Sequence, residues 1–142
     1  MKIGFMGTPD IAFSSLEYLY DRHEIAAVFT QPDKPNARGN KIIYSPVKDF
    51  ALKKEIPVYQ PVTMKNGEAE QLLKELNPDI LVVVAYGKIL PNAVRDIPKY
   101  GAINLHASLL PKYRGASTIH ASVVNGDKKT GITVMYINEF LD

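Results

Sequence analysis

The chain contains no cysteine and no tryptophan. Without thiols, disulfide frameworks, thiolate catalysis and Cys-ligated zinc are excluded, and the composition fits a reducing compartment. Net charge is also scarce: 17 Lys and Arg against 15 Asp and Glu leave +2, so any nucleic-acid surface has to be local. No segment approaches the roughly 20 apolar residues of a membrane span. The short apolar start of MKIGFMGTPD meets Gly-Thr-Pro too soon for a secretory signal, and no internal repeat or low-complexity tract is present. A soluble cytoplasmic domain is the expectation. At 142 residues and 46% hydrophobic content, one domain can bury a sufficient core without covalent staples.

Apolar runs alternate with amphipathic stretches, the pattern of βαβ units around a mostly parallel sheet. Strands are expected over Lys2 to Met6, Ile25 to Thr30, Val58 to Tyr59, Ile80 to Ala85, Gly101 to His106 and Gly131 to Ile137. Thr8 and Pro9 read as cap and first position of a helix with the apolar stripe Ile11, Ala12, Leu16 and Leu19. Ser45 and Pro46 open a second helix covering Val47, Phe50, Ala51 and Leu52. Glu68 to Leu76 is a third, stopped at Asn77-Pro78 because proline disfavours helical geometry in the residue before it. A fourth is expected over Thr118 to Val124. The run Ile80 to Ala85 is apolar on both faces, as a central strand covered by helices requires.

One connection breaks this rhythm. TQPDKPNARGNKIIYSP, from Thr30 to Pro46, exceeds the usual loop of a βα unit, and its Pro, Gly and Asn predict no regular element. Lys34, Arg38 and Lys41 against Asp33 make it locally basic. It reads either as a solvated excursion or as an arm contacting phosphates. The GTPD turn after the first strand lacks the GxGxxG pattern, and Asp10 would repel an anion there, so dinucleotide binding is not expected.

In AINLHASLLPKYRG an apolar strand carries Asn104 and His106 two residues apart, hence on one face. Structural hydrogen bonding would account for both. Chemistry would too, because ligands of open α/β sheets bind outside the carboxyl ends of the strands. An amide donor beside an imidazole suits acyl transfer: the amide stabilises an oxyanion and the imidazole moves protons near neutral pH. His23 and His120 are better explained as exposed or locally bonded.

Taken together, MKIGFMGTPD, VFTQPDKP, SPVK, NPDILVVVAYGKILP and INLHASLLPKYRGAS resemble the methionyl-tRNA formyltransferase family along essentially the whole chain. The resemblance implies an α/β, three-layer, Rossmann-like formyltransferase fold with a mostly parallel central sheet, incomplete at the C-terminus. It implies transfer of a formyl group from 10-formyltetrahydrofolate to the amino group of initiator methionyl-tRNA in translation initiation, with no metal. By similarity Asn104, His106 and Asp142 match the catalytic trio. Ser108, Leu109, Leu110 and Pro111, with Tyr86, Gly87, Lys88, Ile89 and Leu90, fall in the folate site. Lys34, Arg38 and Lys41 inherit contact with the tRNA acceptor arm.

Two departures accompany the resemblance. The family's Asp stands in a segment resembling GLDTGD, whereas here NEFLD puts Phe140 at the glycine and Asp142 at the last position. The family's C-terminal tRNA-binding β-barrel domain has no counterpart in these residues, so 1–142 is expected to be the N-terminal portion of the catalytic domain. Two alternatives follow: a formyltransferase of sugar-nucleotide amines, which keeps the trio but needs no basic loop, and a folate- or tRNA-binding fragment with little activity.

Overall fold

The computed structural model describes residues 1–35, 42–106 and 133–137. In chain order the elements are β1 (Lys2–Gly7), α1 (Asp10–Tyr20), β2 (Glu24–Phe29), β3 (Lys34–Pro35), β4 (Ile42–Ile43), α2 (Pro46–Lys53), β5 (Val58–Tyr59), α3 (Glu68–Leu76), β6 (Ile80–Val84), α4 (Asn92–Arg95), β7 (Ala102–His106) and β8 (Thr133–Tyr136). The main sheet runs β5-β2-β1-β6-β7-β8. Every pairing in it is parallel except β7 with β8. The chain lays β1 first, builds outward through β2 and β5, then returns to the other side of β1 with β6. That reversal leaves a topological switch point between β1 and β6, where open α/β sheets bind their ligands.

Strand alternation sorts the core into two faces. Ile3, Phe5, Val28, Val82 and Val84 pack with Ala12 and Leu16 of α1 and Val47, Phe50 and Ala51 of α2. Met6, Phe29, Leu81, Val83 and Ala102 face the other way, against Ala69 and Leu73 of α3 and Val94 of α4. The result is three layers, helix on sheet on helix. β6 is buried at each of its positions, as expected from its unbroken apolar run. Each fully buried Leu, Val or Phe contributes about 1.5–3 kcal/mol of transfer free energy, so this strand and its neighbours dominate the stability of the sheet.

The differences from the sequence reading have local causes. Thr8 does not cap α1: Pro9 stands at the cap with no side-chain bond. Thr8 Oγ1 instead accepts from the Gln31 N–H at 3.2 Å and from Thr30 Oγ1 at 3.3 Å, tying the end of β1 to the end of β2. Ser45 does cap α2, accepting from the Lys48 N–H at 3.1 Å, with Pro46 in the first turn. That helix spans Val47, Phe50, Ala51 and Leu52 as expected, with Val47, Phe50 and Ala51 as its packed stripe and Leu52 49% exposed. The long basic connection does contain regular structure, since β3 and β4 pair antiparallel through Lys34 with Ile43 and Pro35 with Ile42.

α3 has the expected bounds, and Asn77 ends it in the left-handed region at φ 50°, its N–H reaching Leu73 O at 2.8 Å. The short α4 carries too few residues for a periodic signal and was not anticipated. The expected helix Thr118 to Val124 lies outside the described residues, as do Gly131 and Ile132 of the last expected strand.

Gly7 is where β1, β6 and α1 meet most closely. A Cβ there would lie 2.6 Å from Ala12 Cβ and 2.7 Å from Val84 O, and the latter is backbone of a central strand that has no room to retreat. Gly7→Ala is therefore expected to destabilise the fold by about 1–3 kcal/mol, read as a lower urea midpoint at unchanged m-value.

Candidate active site

The carboxyl edge of the sheet gathers polar side chains from several strands. On β7, Asn104 pairs with Val83 of β6 and with Met135 of β8. Residues paired across a sheet share a face, so Asn104 belongs to the side of Met6, Val83 and α3, while Ile103 and Leu105 pack into the opposite cluster. Its side chain is half-buried, two residues before the end of β7. There the amide can reach a ligand while still screened from bulk water. His106 closes β7 opposite Thr133, and its side chain lies outside the described residues.

Beside Asn104, β6 ends at Val84 and passes into the connection 85–91. Ala85 takes φ 50° and Gly87 φ 83°, two left-handed residues that turn the chain sharply at the switch point. The loop is anchored by its own side chains. Tyr86 is 2% exposed, its hydroxyl directed at Met64 Sδ at 3.5 Å, and burial pushes that phenol up to about 12, so it stays neutral. Leu90 is buried as well. Between these anchors Gly87 and Ile89 are exposed, and Lys88 Nζ donates to Val62 O at 2.6 Å, which pins the loop to the segment after β5. Of the five residues assigned here from the sequence, two are core anchors and three present backbone or side chain outward.

The remaining assigned residues divide simply. Lys34 is exposed on β3. Arg38, Lys41, Ser108, Leu109, Leu110, Pro111 and Asp142 lie outside the described residues, as does Phe140. A shallow, charged depression of about 540 Å³ lined by Lys2, His23, Glu24 and Asp79 opens at the amino edge of the strands, away from this region.

Sequence reasoning missed the polar lattice under the basic hairpin. Lys48 Nζ donates to Asp33 Oδ2 at 2.6 Å and to Gln60 Oε1 at 3.0 Å. Gln60 Nε2 donates to Asp33 Oδ1 at 2.8 Å and to Gln31 O at 3.1 Å. β3 thus starts from a braced root. The Lys48 hydrogen bond first, aided by Gln60 and the ammonium's charge, outweighs partial desolvation and holds the Asp33 carboxyl below its ordinary 3.8. A carboxyl more acidic in the fold than in the unfolded chain stabilises the fold at any pH above the ordinary value, and that contribution disappears as pH falls through the lowered one. Asp33→Asn should cost less than about 1 kcal/mol at pH 7 by urea titration, as a partly solvated pair does. The gap from the parent should close as pH drops below about 4.

Comparison with known proteins agrees with this geometry. The family model described as formyl transferase matches residues 1–142. A methionyl-tRNA formyltransferase of Fusobacterium nucleatum is 57% identical over 142 residues, covering 100% of this chain and 46% of that protein. One from Clostridioides difficile is 55% identical over 143 residues with the same coverage of both chains. The chain therefore spans about half the length of these relatives. Among solved structures, a phosphoribosylglycinamide formyltransferase from Anaplasma phagocytophilum aligns at TM-score 0.78 and 20% identity, covering 100% of this chain and 67% of that one. Its counterpart from Bacillus halodurans aligns at TM-score 0.74 and 22% identity, covering 100% and 74%. The sheet order, the switch point between β1 and β6, and a family match over its whole length make this chain a member of the formyl transferase family.

Proposed function

We propose that this chain carries the formyl-transfer site of a methionyl-tRNA formyltransferase, acting in the cytoplasm during translation initiation. The observation that carries the reading is 57% identity, along the entire chain, to proteins bearing that name. The half-buried Asn104 at the carboxyl edge, next to the loop after β6, supports it independently.

In this reading 10-formyltetrahydrofolate supplies an activated formyl group, and the amine of methionyl-tRNA displaces the folate nitrogen from it. Asn104 donates its amide N–H to the formyl oxygen as negative charge develops there. His106 donates alongside it and handles a proton, and Asp142 orients the imidazole and favours its charged form. Tyr86, Gly87, Lys88, Ile89 and Leu90, with Ser108 to Pro111, form the donor's site. Exposed Gly87 and Ile89 contribute backbone and apolar contact there, while buried Tyr86 and Leu90 hold the loop's shape. Lys34, Arg38 and Lys41 meet phosphates of the acceptor arm, and the braced hairpin root gives those charges a defined origin.

Asn104→Ala in the complete gene product should lower kcat for formylation of methionyl-tRNA by about 10²–10³-fold, with KM values for both substrates changed only a few-fold. Undiminished kcat would remove Asn104 from the reaction. Formylation of a sugar-nucleotide amine in place of methionyl-tRNA by the parent protein would overturn the choice of acceptor.

A further inference from the structure

Gln31 immediately follows the buried Thr30 and precedes Pro32 and Asp33, where the basic hairpin begins. Three of its polar groups are engaged, each by a different part of the chain. Its N–H donates to Thr8 Oγ1 at 3.2 Å, after β1. Its carbonyl accepts from Gln60 Nε2 at 3.1 Å, after β5. Its side-chain Nε2 donates to Tyr86 O at 2.9 Å, after β6. One residue thus spans three strand ends, and its side chain reaches across to the loop that the proposed function gives to the formyl donor.

Gly87 is shaped around this contact. A Cβ at Gly87 would stand 2.7 Å from Gln31 Nε2, and the residue's φ of +83° is one that side chains rarely adopt. The Gln31 amide therefore seats in the notch that the missing side chain leaves. The peptide bond between Tyr86 and Gly87 is planar and trans, so its C=O and N–H point in opposite directions. Holding Tyr86 O toward Gln31 turns the Gly87 N–H the other way, off the Gln31 side of an exposed residue.

We infer that Gln31 is a positioning residue for the donor site: by fixing the Tyr86–Gly87 peptide it sets the direction in which the Gly87 N–H is presented to the folate substrate. The inference rests on the proposed function and adds to it a residue that lies outside the loop. The hydrogen bond is half-buried, and the core anchors Tyr86 and Leu90 remain when it is removed. Its loss misdirects the loop backbone without unfolding the sheet.

The test uses the complete gene product with 10-formyltetrahydrofolate and methionyl-tRNA. Gln31→Leu removes the donor at similar size, and Gln31→Glu keeps the shape while setting a carboxylate against a carbonyl that it cannot serve. Both should raise the KM for the folate donor about tenfold, leave the KM for methionyl-tRNA within about twofold, and keep Tm within a few degrees of the parent. An unchanged donor KM in either folded variant overturns the inference. So does a parallel rise of both KM values with a falling Tm, which marks a merely structural bond. If the parent protein itself formylates no methionyl-tRNA, the functional reading fails and takes the inference with it, an outcome distinct from an active parent with indifferent variants.

Discussion

Thr30 has no exposure to solvent, so its hydroxyl has to find partners inside the protein. It finds Thr8 on one side and Ser45 on the other, each at 3.3 Å. An unpaired hydroxyl buried there would cost about 1–3 kcal/mol, enough to select the loop conformations that supply the partners. Those loops are the ones that matter. Thr8 belongs to the turn after β1, Thr30 to the start of the basic connection, and Ser45 to its return and to the cap of α2. A constraint imposed by burial alone therefore fixes both feet of the hairpin against the carboxyl edge of the sheet.

From this point the polar contacts spread outward in order. Ser45 holds the first turn of α2, and α2 presents Lys48 to Asp33. Asp33 and Gln31 share Gln60, and Gln31 reaches the loop after β6. The apolar layers play a different part. They set the strand order and keep β6 dry, so that the strand ends arrive side by side, but they do not choose the course of any loop. Packing positions the edge, and hydrogen bonding finishes it.

This division explains what was legible in the sequence. The strands, α3 and the Ser45 cap follow from periodicity and short-range chemistry, which local residues determine. Asn104 was legible because alternation and strand-end position are also local, and the structure sets it beside the loop after β6. Thr8 was misread because a threonine before proline has the signature of a helix cap, and only the tertiary pairing of β1 with β2 offers it the Gln31 N–H instead. Lys48, Asp33, Gln60 and Gln31 lie 12 to 55 positions from the partners they meet, and no periodic pattern joins them. The β3 and β4 pairing escaped for a related reason: two residues a side carry no alternation to detect.

The lattice also sorts the positive charges near the hairpin by what they can do. Lys48 has its ammonium on Asp33 and Gln60, lies 3.8 Å from the Tyr44 ring centroid, and leaves only 12% of its side chain exposed. Its charge is answered at short range, and a phosphate would have to compete with a carboxylate, an amide and an aromatic face for it. Lys34, one residue past Asp33, is exposed instead. Neighbouring lysines of the same formal charge thus divide the work: one is spent on holding the hairpin root, which costs that cation its reach. The other keeps its reach because the root is held. A basic loop with an unanchored root would attract polyanions at the same net charge, but it would pay an ordering entropy on binding that this arrangement has already met in folding.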